Sequence, residues 1–345
     1  MTRKLKLFFI FLTICIVLIS CSKFQKPGLS EDFLMGTVIM QKVYGKNADQ
    51  AIKAVNKKIA DIERLMTINA PGGDVNKINE FAGRELVKVD KDTLYVLKKA
   101  WEFSNLSRGT FDVTVGKVVK MWGIFTDNPR VPNVSEIIDA LGFINYNDII
   151  IDESKSMVGL KTNGQVIDLG AIAKGFAGDE AIRLYKEYGI KSAFVNLGGN
   201  VVVLGNKPDG SPWRIGIQNP QTQQNDYIGI INVSDKAVVT SGDYERYFEK
   251  EGKRYHHIID PKTGYPSDSD LMSSTIVTEL SVDADALSTA TFVMGLDKAL
   301  AFVESLDNVE GIFITKENKI YVTHGLKDNF VFEDESKVFE YVEKR

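Results

Sequence analysis

Asp285 and Thr289 stand one helical turn apart in SVDADALSTATFVMG, residues 281–295. A helix there presents a carboxylate and a hydroxyl on one face. Such a pair suits a hard cation such as Mg2+, which takes oxygen ligands and keeps its other positions for water or phosphate. Acids are also favoured in the first turn of any helix by its dipole, so the pair alone equally describes an ordinary helix start. Asp283 falls on another part of that surface, as an orienting or capping acid. In IDLGAIAKGFA, residues 167–177, a strand ends at Asp168, a glycine turn follows and a helix begins. Free N–H groups at such a helix start hold phosphate, and Lys174 is placed to pair with it. The stretch has neither G-x-G-x-x-G nor the P-loop pattern, and a plain strand–turn–helix junction reads the same way. Two of the 3 histidines, His256 and His257, are adjacent in YHHIIDPKTGYP, residues 255–266. Strand neighbours face opposite sides, so only one of them can serve a given site. Imidazole is the side chain best poised to move a proton near neutral pH; a hydrogen-bonded structural histidine beside a turn is the alternative. His324 lies after the last hairpin, as a surface residue. Gly198-Gly199, in VNLGGNVVVLG, allows a tight turn or close backbone approach.

The elements that must position these groups follow from periodicity. Ala51, Ile52, Val55, Ile59, Ile62 and Met66 repeat at three or four residues, which predicts a helix over Ala48 to Met66. Further helices are expected over Thr93 to Phe103, Ile172 to Tyr188 and Ala284 to Leu306. Strands are expected in Phe33 to Tyr44, Gln165 to Asp168, on both sides of Gly198-Gly199, twice in Trp213 to Val233, and in Arg254 to Ile259. A hairpin over Gly311 to Val322 turns near Glu317-Asn318. Phe111 to Gly123 is a mixed segment with a glycine break. Strands and helices alternate irregularly, so the fold class is α+β with mixed sheets and packed helices, not a doubly wound parallel sheet.

Composition bounds the function. The chain of 345 residues is 44% hydrophobic and 26% charged, ordinary globular values that rule out disorder as its main state. Lys+Arg 42 against Asp+Glu 46 gives a net charge of −4, and no basic excess points to nucleic acid. The start is different. Arg3, Lys4 and Lys6 precede an apolar run from Leu7 to Ser20, shorter than the roughly 20 residues that span a bilayer. A basic region before a short apolar one is a secretory signal, and Leu18-Ile19-Ser20-Cys21 resembles a lipobox cut before a lipid-bearing cysteine. Residues 1–20 are therefore expected to be a signal peptide, Cys21 the lipidated residue, 21–31 a tether and 32–345 the folded domain. The protein would be membrane-anchored and extracytoplasmic. The only other cysteine, Cys15, leaves with the signal, so no disulfide or thiol nucleophile is available.

Together these stretches resemble the ApbE family of FAD:protein FMN transferases. The matching pieces are Met35-Gly36-Thr37, Phe111 to Gly116 (FDVTVG), Asp168 to Gly175 (DLGAIAKG), Asn196 to Asn200 (NLGGN), Thr240 to Arg246 (TSGDYER), His257 to Gly264 (HIIDPKTG) and Asp285 to Ala290 (DALSTA), in the family's order. The resemblance implies a T-fold-related architecture and transfer of FMN from FAD to a threonine hydroxyl of an acceptor flavoprotein, with release of AMP. It implies Mg2+ held by the carbonyl of Ala171 with Asp285 and Thr289. FAD would contact Met35, Phe111, Asp112, Val113, Asp168, Lys174, Ile258 and the residue at position 69, here Asn69, and His257 would be the base, with Asp260 and Ser241-Gly242 shaping its pocket. Acceptors would be extracytoplasmic subunits of Na+-translocating NADH:quinone reductase or Rnf complexes.

One position departs. Where the family has Met-Ser-Thr and then an aromatic residue, this chain has Met66-Thr67-Ile68-Asn69. An aromatic ring stacks on flavin or adenine; an amide instead binds phosphate or metal-bound water. Asn69 therefore raises the alternative of an FAD pyrophosphatase yielding FMN and AMP. A non-catalytic flavin-binding lipoprotein is the third possibility, and it needs no pairing of His257 with Asp285 and Thr289.

Overall fold

A computed structural model describes residues 26–222 and 226–342. The signal-peptide segment and Cys21 lie outside the described residues. No helix among the described residues is long and apolar enough to cross a membrane.

The chain opens with β1 (Gly28–Leu34), β2 (Thr37–Tyr44), α1 (Ala48–Met66), α2 (Asp74–Glu80), β3 (Val87–Lys88) and α3 (Lys91–Leu106). It continues with α4 (Gly116–Trp122), α5 (Val134–Leu141), β4 (Ile149–Asp152), β5 (Met157–Leu160), α6 (Ala173–Glu187), β6 (Ser192–Leu197) and β7 (Asn200–Leu204). Then come β8 (Trp213–Gln218), β9 (Tyr227–Val233), β10 (Ala237–Gly242), β11 (Tyr247–Lys250), β12 (Lys253–His256) and β13 (Leu271–Thr278). The last elements are α7 (Ser281–Met294), α8 (Leu296–Glu304), β14 (Glu310–Thr315), β15 (Lys319–Val322), β16 (Phe330–Phe332) and β17 (Glu340–Tyr341).

The principal sheet has 9 strands in the order β1-β2-β6-β7-β10-β13-β14-β15-β17. Its neighbours are antiparallel except for β15 and β17, and that parallel pair is what makes the sheet mixed. Strand alternation sends side chains to both faces. Val202 and Leu204 of β7 join the helical core with α1, α6 and α7, whereas Val201 and Val203 meet Trp213, Ile215 and Ile231 of the three-stranded β16-β9-β8 sheet. Covering both faces is why β7 reads as a continuous apolar run. A smaller cluster joins Val118 and Trp122 of α4 to Ile137 and Ala140 of α5 and to Ile259.

Some expectations change. Gly28 to Glu31 already pair with Met40 to Val43, so β1 takes in the last residues of the segment expected as a tether. Gln165 to Asp168 is not a strand: its one bridge joins Val166 to Val115. The backbone there is otherwise engaged, with the Ile167 N–H on Asn79 Oδ1 and the Asp168 N–H on the Val113 carbonyl. The helix expected over Ala284 to Leu306 starts earlier and divides at Gly295, whose φ of 77° no helix accommodates. The strand before the Pro261 turn ends at His256.

Candidate active site

The turns of the first hairpin and of the β6–β7 connection gather at one end of the principal sheet. Met35 and Gly36, with φ of 52° and 69°, close the β1–β2 hairpin as a left-handed pair. The β6–β7 turn sits beside it. The Gly198 N–H donates to the Val38 carbonyl at 3.2 Å, and a Cβ on Gly198 would lie 2.1 Å from Thr37 Oγ1. Met35-Gly36-Thr37 and Asn196 to Asn200, far apart in sequence, are therefore one structural unit. Asn200 is buried there, and its Nδ2 finds no partner among the described residues. An unpaired buried donor is costly unless a ligand acceptor meets it.

The approach to α6 is held by polar clamps. Asn79 of α2 brackets Ile167, accepting its N–H at 2.7 Å and donating to its carbonyl at 3.0 Å. Asp168 Oδ1 accepts the Gly170 N–H at 2.8 Å, which fixes the turn carrying Ala171. Burial pushes the Asp168 carboxyl above its ordinary value, against that N–H and the charges of Lys120 and Lys174. Lys174 Nζ donates to the Gly170 carbonyl at 3.4 Å and lies 3.8 Å from Asp285 Oδ1. Its charge also acts on Glu245 and His257, so Lys174 is the ammonium at which these segments converge.

Two glycines let α6 and α7 touch. A Cβ on Gly175 would meet the Ser281 carbonyl at 2.3 Å and Asp285 Cβ at 2.7 Å; one on Gly178 would meet Val202 at 2.7 Å. This approach lets Asp285 Oδ2 accept the Gly175 N–H at 2.8 Å, at the positive end of α6. Asp285 is only 3% exposed. One turn on, Thr289 Oγ1 lies 3.3 Å from Ser241 Oγ, which also bonds Ser288 Oγ at 2.9 Å. Asp283 turns away to pair with Lys99 Nζ at 3.0 Å.

The two histidines separate as alternation requires. His256 Nε2 bonds the Ser267 carbonyl at 3.0 Å, and its ring packs edge-on to Phe292. His257 Nδ1 meets the Arg246 carbonyl at 3.2 Å, and the same carbonyl accepts the His257 N–H. A carbonyl only accepts, so Nδ1 carries the proton and Nε2 keeps a free lone pair. Desolvation lowers the His257 pKa to about 3, so the ring is neutral at neutral pH. Phe125 packs edge-on to His257 at 5.8 Å, and the Arg246 guanidinium sits over Phe125 while bonding the Gly36 carbonyl.

Not every expected contact faces this site with its side chain. Phe111 and Val113 are buried in the main core, so that segment offers a ligand its backbone. Asp112 turns inward: Oδ1 accepts the Thr114 N–H and hydroxyl, and Oδ2 the Tyr146 N–H. Ile258 is buried in the same core, and Asp260 Oδ1 caps its own turn at the Lys262 N–H. Asn69 is exposed in the α1–α2 loop. Sequence reasoning missed Asn79 and Asp179, while Arg246 and Asn200 stand in matching stretches but were given no role of their own.

A model of the ApbE family matches residues 35–313. The chain belongs to the ApbE family. It is 35% identical over 291 residues to a FAD:protein FMN transferase of Klebsiella pneumoniae, covering 84% of this chain and 90% of that one. A FAD:protein FMN transferase of Treponema pallidum is 33% identical over 314 residues, covering 86% and 87%. Among solved structures, the ApbE protein of Thermotoga maritima superposes with a TM-score of 0.82 at 36% identity, covering 88% of this chain and 99% of that one. Flavin transferase ApbE of Vibrio cholerae gives 0.79 at 28% identity, with coverage of 88% and 99%. The α+β architecture is thus that of ApbE flavin transferases.

A divalent ion fits this ApbE site by its donor chemistry. Asp285 Oδ1 lies 3.8 Å from Lys174 Nζ, the Thr289 hydroxyl stands one turn on along α7, and the Ser241 hydroxyl of β10 is 3.3 Å from that of Thr289. Hard oxygen donors of this kind suit Mg2+, whereas no group of three or more His, Cys, Asp or Glu able to hold a metal occurs among the described residues.

Proposed function

We propose that the protein transfers the FMN half of FAD to the hydroxyl of a threonine in an extracytoplasmic acceptor flavoprotein and releases AMP. The observation that carries this reading is the pairing of a neutral imidazole, His257, with the acid-and-hydroxyl helix of Asp285 and Thr289 across Lys174. A flavin carrier needs no such base. In the reaction the threonine oxygen forms a bond to the FMN phosphorus, and the bond from that phosphorus to the bridging oxygen breaks. The bridging oxygen leaves with AMP, and the threonine proton passes to His257 Nε2. Lys174 orients the pyrophosphate as a point charge, and the N–H groups opening α6 face an anion.

Mg2+, held by Ala171, Asp285 and Thr289, would neutralise charge on the phosphate oxygens. Cys21 as the lipidated residue would keep the site at the membrane, where subunits of Na+-translocating NADH:quinone reductase or Rnf complexes are the acceptors we favour. The test is incubation of the protein with FAD, Mg2+ and an acceptor domain. Flavin fluorescence retained by the denatured acceptor, with stoichiometric AMP, is the expected result. Intact FAD bound without AMP release would make the protein a carrier.

The exposed amide of Asn69 favours a second activity of the same site, hydrolysis of FAD to FMN and AMP. With no aromatic side chain at position 69, water would reach the phosphorus more easily. Asn69→Tyr is expected to reduce AMP release in the absence of acceptor by about tenfold, the worth of one stacked ring. Unchanged release would show that Asn69 does not set water access.

A further inference from the structure

Helix α7 carries both side chains assigned to the metal, yet it has no cap of its own. Its N-cap residue is Leu280, which makes no side-chain capping bond. The cap comes from another helix. Asp179 of α6 accepts the Ser281 N–H on Oδ1 at 2.7 Å and the Val282 N–H on Oδ2 at 2.9 Å. One turn earlier on α6, the Gly175 N–H donates to Asp285 Oδ2 at 2.8 Å. Each helix thus places a carboxylate on the N–H groups of the other. Between these two bonds Gly175 lies against the Ser281 backbone, with no room for a Cβ.

A two-point attachment fixes both the separation of the helices and how far one slides along the other. The turn bearing Ala171 leads directly into α6, so this sliding coordinate sets the distance from Ala171 to Asp285 and Thr289. We infer that Asp179 is a positioning residue that sets the affinity of the site for Mg2+ by holding α7 in register with the start of α6. This rests on the Mg2+ reading proposed above and extends it to a residue that touches neither metal nor substrate. A carboxylate is needed because two N–H groups converge on it; an amide accepts one and presents its own N–H groups to the other.

The test uses Asp179→Asn, with Asp179→Asn/Leu280→Asp as its companion. Leu280 is 42% exposed, so an aspartate there can cap α7 locally without restoring the link to α6. Calorimetric titration with MgCl2 alone is expected to show Asp179→Asn binding Mg2+ on the order of 10- to 100-fold more weakly. Its kcat at saturating Mg2+ should stay within about threefold of the parent, a loss of metal affinity rather than of chemistry. The double variant should regain melting temperature but not Mg2+ affinity. Parent-like affinity in Asp179→Asn would overturn the inference. So would recovery of affinity along with stability in the double variant, which would reduce Asp179 to a cap. If Asp285→Asn instead binds Mg2+ as the parent does, the metal reading itself fails and takes this inference with it.

Discussion

Asp285→Asn is expected to lower FMN transfer on the order of 10³-fold while leaving the fold standing, the several kcal/mol that a well-placed divalent ion supplies to a phosphoryl transition state. Asparagine is the informative substitution because Asp285 has two separable duties. Its Oδ2 accepts the Gly175 N–H at 2.8 Å, and that bond survives in the amide. Its other oxygen, Oδ1, lies 3.8 Å from Lys174 Nζ and carries the negative charge toward the turn bearing Ala171. Alanine would confuse the two, since it also strands the buried Gly175 N–H at about 1–3 kcal/mol. The checks are acceptor flavinylation across a Mg2+ titration and a melting curve. Melting within a few degrees of the parent, with transfer lost, places the effect in the site; transfer within threefold of the parent would remove Asp285 from it.

The legible parts of this protein are those whose cause is local. Helix α1 was predicted from Ala51, Ile52, Val55, Ile59, Ile62 and Met66, and those six side chains all lie in the main core. The turn at Asn318, with φ of 62°, follows from the same kind of short-range cue. The break at Gly295 had a local signal as well, a glycine inside a helical pattern, outweighed by the apolar residues on both sides. The segment Gln165 to Asp168 was misread for a different reason. Its pattern is that of a strand, but its N–H groups go to Asn79 and Val113 instead of a ladder, and no window around residue 166 reveals a partner in α2. The same limit hid Asp179, whose bonds reach Ser281 and Val282 a hundred positions later, and it hid the role of Arg246, which stands in a matching stretch but whose carbonyl fixes the tautomer of His257. The candidate side chains for chemistry can be picked out by type and spacing alone. The residues that hold them in place cannot, because their partners come from distant elements of the chain. Asp112 shows the converse: its place in a matching stretch marked it for cofactor contact, whereas the structure turns both its oxygens inward onto Thr114 and Tyr146.

His257→Ala is expected to lower transfer to the acceptor by about 10²–10⁴-fold, the contribution of a positioned general base, with FAD binding retained. Removing the ring frees no buried charge, since His257 is neutral in the folded protein, so the variant should fold. The parent's pH dependence tests the same assignment from the other side. Desolvation, the proximity of His256 and the charges of Lys174 and Arg246 hold the His257 pKa down to about 3, while the Arg246 carbonyl pulls the opposite way. The lone pair on Nε2 therefore stays available well below the usual histidine midpoint of 6.5, and transfer should show no acid limb near pH 6.5. Stability behaves differently. His256 is also lowered, to about 4, chiefly by desolvation. In the unfolded chain both rings take up protons below about pH 6.5, whereas the folded protein does not, so protons favour the unfolded state. The two histidines contribute their full stability above pH 6.5 and lose it as the pH drops toward 4 and then 3, whereas Asp179, which burial raises to about 7, pulls the opposite way. Melting temperature should therefore fall more steeply over that range in the parent than in His257→Ala, while the parent's transfer rate holds. An acid limb centred near 6.5 that disappears in His257→Ala would mean that the ring is solvated and titrates normally, and the base would then be poised by the acceptor's arrival instead of by the fold.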